Sequence, residues 1–279
     1  MKRCFINLHN FIILVNIFLT FMNDSDKKVN QSVVKAFKLL DAFTNDKTSW
    51  GVRELALKTG YNKSTTYRLL NTLASLNIVH QNTDEKYSLG SKLFELGNRV
   101  AIYKAISKST NIPIKNVALE IQETVLLSIL KEDQVFHINK ADSLHGLKIN
   151  TSIGSYQPIH ATASGKLLLA FSEKNTQEKI LNRIPLHKVT KHTIDSIKKL
   201  KEDLELITVQ EYALDIEELE LGLVSIAIPI RNKEKKVIAS ISASGPLSRF
   251  RTENIPNYIK TLKKGVVEIE KEFTGFESL

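Results

Sequence analysis

Gly60 stands between two short helical patterns, and that arrangement constrains the first third of the chain more than any other feature. Before it, GVRELALKT gathers Val52, Leu55 and Ala56 on one face over about 51–59, with Ser49 placed to cap the segment. After it, NKSTTYRLLNTLAS spaces Thr66, Leu69, Leu70 and Leu73 by three and four over about 62–76, with Asn62 as its cap. Glycine adopts left-handed backbone without steric penalty, so Gly60 ends one helix and turns the chain into the next. An earlier amphipathic segment, 30–44, carries Val33, Val34, Phe37, Leu40 and Phe43 at helical spacing. Beyond the pair, Ile78–Gln81 and Lys86–Leu89 flank a polar turn at Asn82, Thr83 and Asp84, which is hairpin chemistry. Three helices and a hairpin predict a winged helix-turn-helix.

The helix after Gly60 shows water Lys63, Ser64, Thr65, Tyr67, Arg68 and Thr72, a set of hydroxyls, a phenol and two cations with no carboxylate. An ordinary solvated face mixes Glu with Lys, and the plain alternative here is such a face on a structural bundle. Charge favours a polyanion: residues 23–110 hold 14 Lys/Arg against 8 Asp/Glu, so most of the net +9 lies in this part. As a recognition helix in a major groove, it would set Arg68 against a guanine edge and Thr65 and Tyr67 against bases or a thymine methyl. Lys63, Ser64 and Thr72 would hold the phosphate backbone, as would Lys86 on the wing.

From Ser91 to about Ser109 the apolar pattern predicts a helix joining two domains. The remainder changes period: a helix over 112–123, a hairpin from TVLLSIL and VFHINKA, a strand in LKINTSI, and a buried helix in ATASGKLLLAF. Helices over about 175–182 and 193–208, strands in GLVSIAIPI and KVIASISASG, and a helix over 252–273 complete it. The expected fold class is α+β in two domains: an N-terminal winged helix-turn-helix, a linker helix, and an α/β sensor-like domain with a largely antiparallel sheet. The expected boundaries are 1–28 for a leader, 29–90 for the DNA-binding domain, 91–110 for the linker and 111–279 for the second domain.

Several chemistries find little support. The single cysteine, Cys4, excludes an internal disulfide, and histidines 137, 145, 160, 187 and 192 lack ligand spacing, so no metal or cofactor is expected. Ser164, Gly165 and Lys166 resemble the end of a phosphate loop, but His160 stands where that loop needs its first glycine. A hydrolase built on Ser164 and Asp215 with Lys166 as base is an alternative, weakened because positions two apart on a helix face different ways. Residues 1–21 carry two early cations and 12 apolar residues between Phe5 and Phe21, the pattern of a leader or membrane anchor interrupted by Asn7, His9, Asn10 and Asn16. A start at Met22 is the expectation, and a membrane-tethered sensor is the alternative.

Four segments in order, GVRELALKTGYNKSTTYRLLNTLASLNIVHQNTDEKYSLGSKLFELG, PIHATASGKLLLA, EYALDIEELELGLVSIAIPI and ISASGPLSR, resemble the IclR family of bacterial transcriptional regulators. The resemblance covers 29–274. It implies a winged helix-turn-helix reader joined by a helix to a GAF-like effector-binding domain, working as a homodimer or homotetramer on double-stranded operator DNA with a small organic acid as effector; the expected protein is a cytoplasmic regulator of an inverted-repeat operator. It departs from the family at Glu211, where glycine is usual, at Ser225, often cysteine, and at Gln157. Asp215 stands where the family contributes a polar pocket residue, and Ile149 and Leu223 match its apolar wall; with Ala163, Ser164, Ser225, Ser242 and Ser244 they are the expected effector-binding residues. Small residues at the start of the 161–170 helix would admit an anion to free backbone N–H groups, and Ser242 and Ser244 would share one face of a strand.

Overall fold

A computed structural model describes residues 29–272 apart from 45, 147, 148 and 150. The leader 1–28, with the Met22 start and the 1–21 segment, lies outside the described residues. The chain divides into two compact units at Gly97/Asn98.

The first unit packs helix α1 (Gln31–Leu40), α2 (Val52–Thr59) and α3 (Lys63–Ser75) against a three-stranded sheet of β1 (Ser49–Trp50), β2 (Val79–Gln81) and β3 (Tyr87–Leu89) in the order β1-β3-β2. Gly60 has φ 74° and closes α2, and the Asn62 side chain accepts from Thr65 N, as the spacing required. Ser49 does not cap α2. It pairs with Ser88 in β1, and Gly51 is the cap, its N–H donating to Glu54 Oε2 at 2.9 Å. In α1 the expected stripe is turned outward. Leu39, Ala42 and Phe43 enter the core with Trp50, Leu55, Leu70, Leu73 and Tyr87, whereas Val33, Val34 and Phe37 remain exposed. The helix stops at Leu40 and the chain turns, so Phe43 reaches the core from a loop rather than from the stripe.

The predicted linker helix is two helices. α4 (Ser91–Gly97) ends at a glycine, and α5 (Ala101–Ile121) absorbs the segment expected to start a new helix at 112. Pro113 lies inside α5 rather than bounding it, so the helix continues through a residue that has no N–H to donate.

The second unit is built on β4 (Thr124–Lys131), β5 (Gln134–Ala141), β6 (Tyr156–Pro158), β7 (Ala213–Ile216), β8 (Leu223–Arg231) and β9 (Val237–Pro246). Every pairing is antiparallel, in the order β6-β5-β4-β9-β8-β7. Alternation gives the sheet two unlike faces. Val125, Leu127, Val224, Ile226, Ile228, Ala239, Ile241 and Ala243 pack on α5 and the last helix, α9 (Ile255–Glu272). The opposite face carries Thr124, Ser128, Ser225, Ser240, Ser242, Ser244 and Asp215, and it lies beneath α6 (Ala163–Ala170), which contacts β7, β8, β9 and β4. Around α6, α7 (Lys174–Leu181) and α8 (Ile197–Gln210) add a second apolar cluster of Leu167, Leu169, Ile180, Leu200, Leu204 and Ile207.

The strand expected in LKINTSI falls partly outside the described residues; 149 and 151–153 are irregular, and the sheet edge is β6, whose Val135 and Phe136 partners lie on β5. The Gly154 turn, φ 83°, lets Gly154 N and Ser155 O bond the His137 backbone, so the preceding residues are carried away from the edge. Glu211 ends α8 with φ 60°, the left-handed position where glycine is favoured.

Candidate functional site

In the first unit, the core face of α3 is Thr66, Leu70 and Leu73, and Leu69 is half-buried beside them. That leaves Lys63, Ser64, Tyr67, Arg68 and Thr72 exposed and Thr65 partly covered. Ser64 donates to Asn62 Oδ1 at 3.0 Å and Thr72 to Arg68 O at 3.0 Å, so each hydroxyl keeps acceptor capacity while its proton is used locally. Neither the Arg68 guanidinium nor the Lys63 ammonium has a carboxylate partner among the described residues. Lys86 is exposed in the loop joining β2 to β3, where Asn82 Oδ1 accepts from its N–H and shapes the wing.

In the second unit, a small cavity opens between the polar face of the sheet and the start of α6. All eight expected residues line it: Ile149, Ala163, Ser164, Asp215, Leu223, Ser225, Ser242 and Ser244. Asp215, Ser225, Ser244 and Thr124 stand in one register row across β7, β8, β9 and β4. The cavity encloses about 30 Å³. That is room for roughly one or two waters.

The α6 end of the cavity is fixed by a hydroxyl and a glycine. Thr162 caps the helix, accepting from Gly165 N at 3.1 Å, and a side chain at 165 would strike Ile159 O at 2.2 Å. Only glycine allows that close approach. The cap leaves the Ala163 and Ser164 N–H groups at the helix start without intrahelical acceptors. The Ser164 hydroxyl is buried without a partner.

Asp215 is fully buried, and burial pushes its carboxyl up to about 7. Oδ1 accepts from Glu218 N at 2.8 Å and Leu219 N at 3.3 Å, while Oδ2 has no partner. Within the acidic run 215–220, Glu218 is buried as well as Asp215, whereas Glu220 is exposed. Lys166 explains this: its ammonium, pointing away from Ser164's side, meets Glu218 Oε1 at 2.5 Å and Asp203 Oδ2 at 2.9 Å. These carboxylates hold the Lys166 ammonium above its usual range against the opposing effect of burial. Committed in this way, Lys166 is no base for Ser164.

Leu126, His137, Thr151, Gln157, Thr162 and Leu219 complete the lining. Gln157, one of the departures noted above, belongs to the wall; His137 was passed over with the scattered histidines. A wider groove of about 240 Å³ shares Gln157 and runs between β6 and residues 184–189. No group of three His, Cys, Asp or Glu among the described residues is arranged to hold a metal, and no helix among them is long and apolar enough to cross a membrane.

The IclR helix-turn-helix domain matches residues 32–83, and the C-terminal domain of IclR bacterial transcriptional regulators matches residues 100–271. The chain belongs to the IclR family. Among its relatives, the HTH-type transcriptional regulator KdgR of Dickeya chrysanthemi is 37% identical over 242 residues, covering 86% of this chain and 79% of that protein. KdgR of Escherichia coli is 35% identical over 252 residues, 89% and 95% of the two chains. Similar solved structures include the Thermotoga maritima IclR, TM-score 0.70 and 27% identical over 88% of this chain and 99% of that one. An IclR homolog from Microbacterium hydrocarbonoxydans, complexed with 4-hydroxybenzoate, has a TM-score of 0.78 at 23% identity over 86% and 98%. As an IclR-family protein the chain is a ligand-responsive, DNA-binding transcriptional regulator, with a helix-turn-helix reader and an effector-binding domain.

Proposed function

We propose that this regulator binds an inverted-repeat operator as a dimer or a pair of dimers, reading bases through α3 and phosphates through Lys63, Ser64, Thr72 and Lys86. The effector is a small organic acid held in the cavity of the second domain, and the protein works in the cytoplasm. The domains run over 29–90, 91–110 and 111–279, with the break in the linker at 98–100. What supports the effector reading is one observation: the free N–H groups of α6 open onto a cavity where Ser164 Oγ and Asp215 Oδ2 are buried without partners. Helix N-terminal N–H groups favour an anion, and buried polar atoms need partners. Binding is the role of this chemistry, since Ser164 has no base beside it.

An effector shifts operator affinity only if it binds the DNA-competent and incompetent forms unequally. The test titrates a panel of organic acids against operator binding by gel shift. Ser242→Ala and Asp215→Ala are expected to abolish the response while leaving ligand-free operator affinity within about 1 kcal/mol. A normal response in both variants would place the effector elsewhere.

A further inference from the structure

We propose that His137 is a specificity-determining residue of this cavity: Ser128 holds its ring as the Nε2–H tautomer, which donates to an oxygen of the effector remote from the acidic group. The inference rests on the reading of the cavity as the effector site. His137 lies on β5, directly opposite Ser128 on β4, and Ser128 Oγ stands 2.8 Å from its Nδ1. Ser128 is fully buried, and His137 Nδ1 is the one hydrogen-bond partner of its hydroxyl among the described residues. A buried hydroxyl proton needs an acceptor. Ser128 therefore donates, Nδ1 accepts, and the ring proton resides on Nε2.

Nε2 is bonded by no described residue, and His137 forms part of the cavity wall with Leu126, Thr151 and Gln157. A proton on Nε2 thus has no acceptor among the described residues, in a side chain that lines the cavity. Burial, with Lys140 as a lesser cause, lowers the imidazole to about 4, so this donor carries no charge. It suits a carbonyl, hydroxyl or ether oxygen. Sheet order separates it from the acid-reading end: β5 is four strands from β7. Along the sheet, the Ser128–His137 pair aligns with Ser240, whereas Asp215 and Ser225 align with Ser244. His137 therefore reads a different part of the ligand from Asp215, and an acid carrying a second oxygen function is the class it selects.

The tautomer is read without any ligand, from long-range ¹H–¹⁵N spectra of the full chain labelled at histidine. His137 is expected as Nε2–H, with no titration through neutral pH; Ser128→Ala should mix the tautomers and Ser128→Thr should keep one. Binding is then measured for lactate against propionate, levulinate against pentanoate, and para-hydroxybenzoate against benzoate. At least one oxygenated acid should bind about fivefold tighter than its partner, as one added hydrogen bond provides. His137→Leu should erase that ratio and His137→Gln, which keeps a donor, should retain it, with spectra of both variants confirming the fold. An Nδ1–H tautomer overturns the proposal, as does the absence of any pair that native protein separates better than His137→Leu. Acids that perturb the Ser242 and Ser244 amides without such discrimination sink His137 alone; acids that perturb no cavity amide sink the effector site as well.

Discussion

Asp215 carries one carboxylate oxygen bonded to two backbone N–H groups and one bonded to nothing, and this imbalance has a consequence for pH. Its carboxyl is raised from 3.8 to about 7 by burial, so the folded protein binds a proton more tightly than the unfolded chain does. Stability from this group is therefore present below about pH 4 and is lost as pH rises through 7, by roughly a few kcal/mol. Asp215→Asn keeps the Oδ1 acceptor and has no proton to lose. Thermal melts should show the variant gaining on the native protein from pH 5 to pH 8, and parallel curves would refute the assignment. On α3, Arg68→Ala should relax sequence preference at one base pair of each half-site by about 1–3 kcal/mol. Lys63→Ala should weaken all sequences alike and reduce the salt slope by about 1. Gel shifts across a salt series separate the two. At this scale Ser242 and Ser244 were legible because strand alternation is a local property. His137 was not, because its role depends on its register with Ser128 on another strand.

α8 ends on Glu211 in left-handed backbone, a conformation that costs a residue with a Cβ about 1–2 kcal/mol. Its carboxylate reaches the Arg231 guanidinium at 2.8 Å, but the pair is exposed and offsets little of that cost. Glu211→Gly should therefore stabilise the protein by about 1 kcal/mol in denaturant unfolding, with effector binding unchanged. The outward face of α1 makes a second case. Phe37 is 62% exposed, and with Val33 and Val34 it forms an apolar strip on a helix whose core contact is Leu39. On the dimer proposed above, this strip would face a second copy of the chain. Phe37→Asp should lower self-association in sedimentation while leaving the helical spectrum intact. The helix-turn-helix pair and the hairpins were visible as elements because caps, glycines and alternation are written within a few residues. The face that α1 buries was not, because Val33, Val34 and Phe37 make as good a stripe as the one the fold uses.

As a whole the chain is two compact units meeting at Gly97/Asn98, each with its own apolar core. Independent cores predict independent folding. A chain beginning at Asn98 should fold, retain effector binding and lose operator binding; calorimetry of the full chain should resolve two transitions, and loss of structure in the fragment would refute the division. The sequence by itself determined most of the elements, the helix after Gly60 with its uncompensated cations, and eight of the residues that share the cavity. Those follow from patterns a few residues long and from four motifs in register. Tertiary structure alone decided that α5 runs through Pro113, that Lys166 belongs to Asp203 and Glu218, and that His137 faces the cavity beside Gln157. Each of these depends on groups brought together from distant positions, where burial and hydrogen-bond demand, rather than local propensity, set the outcome.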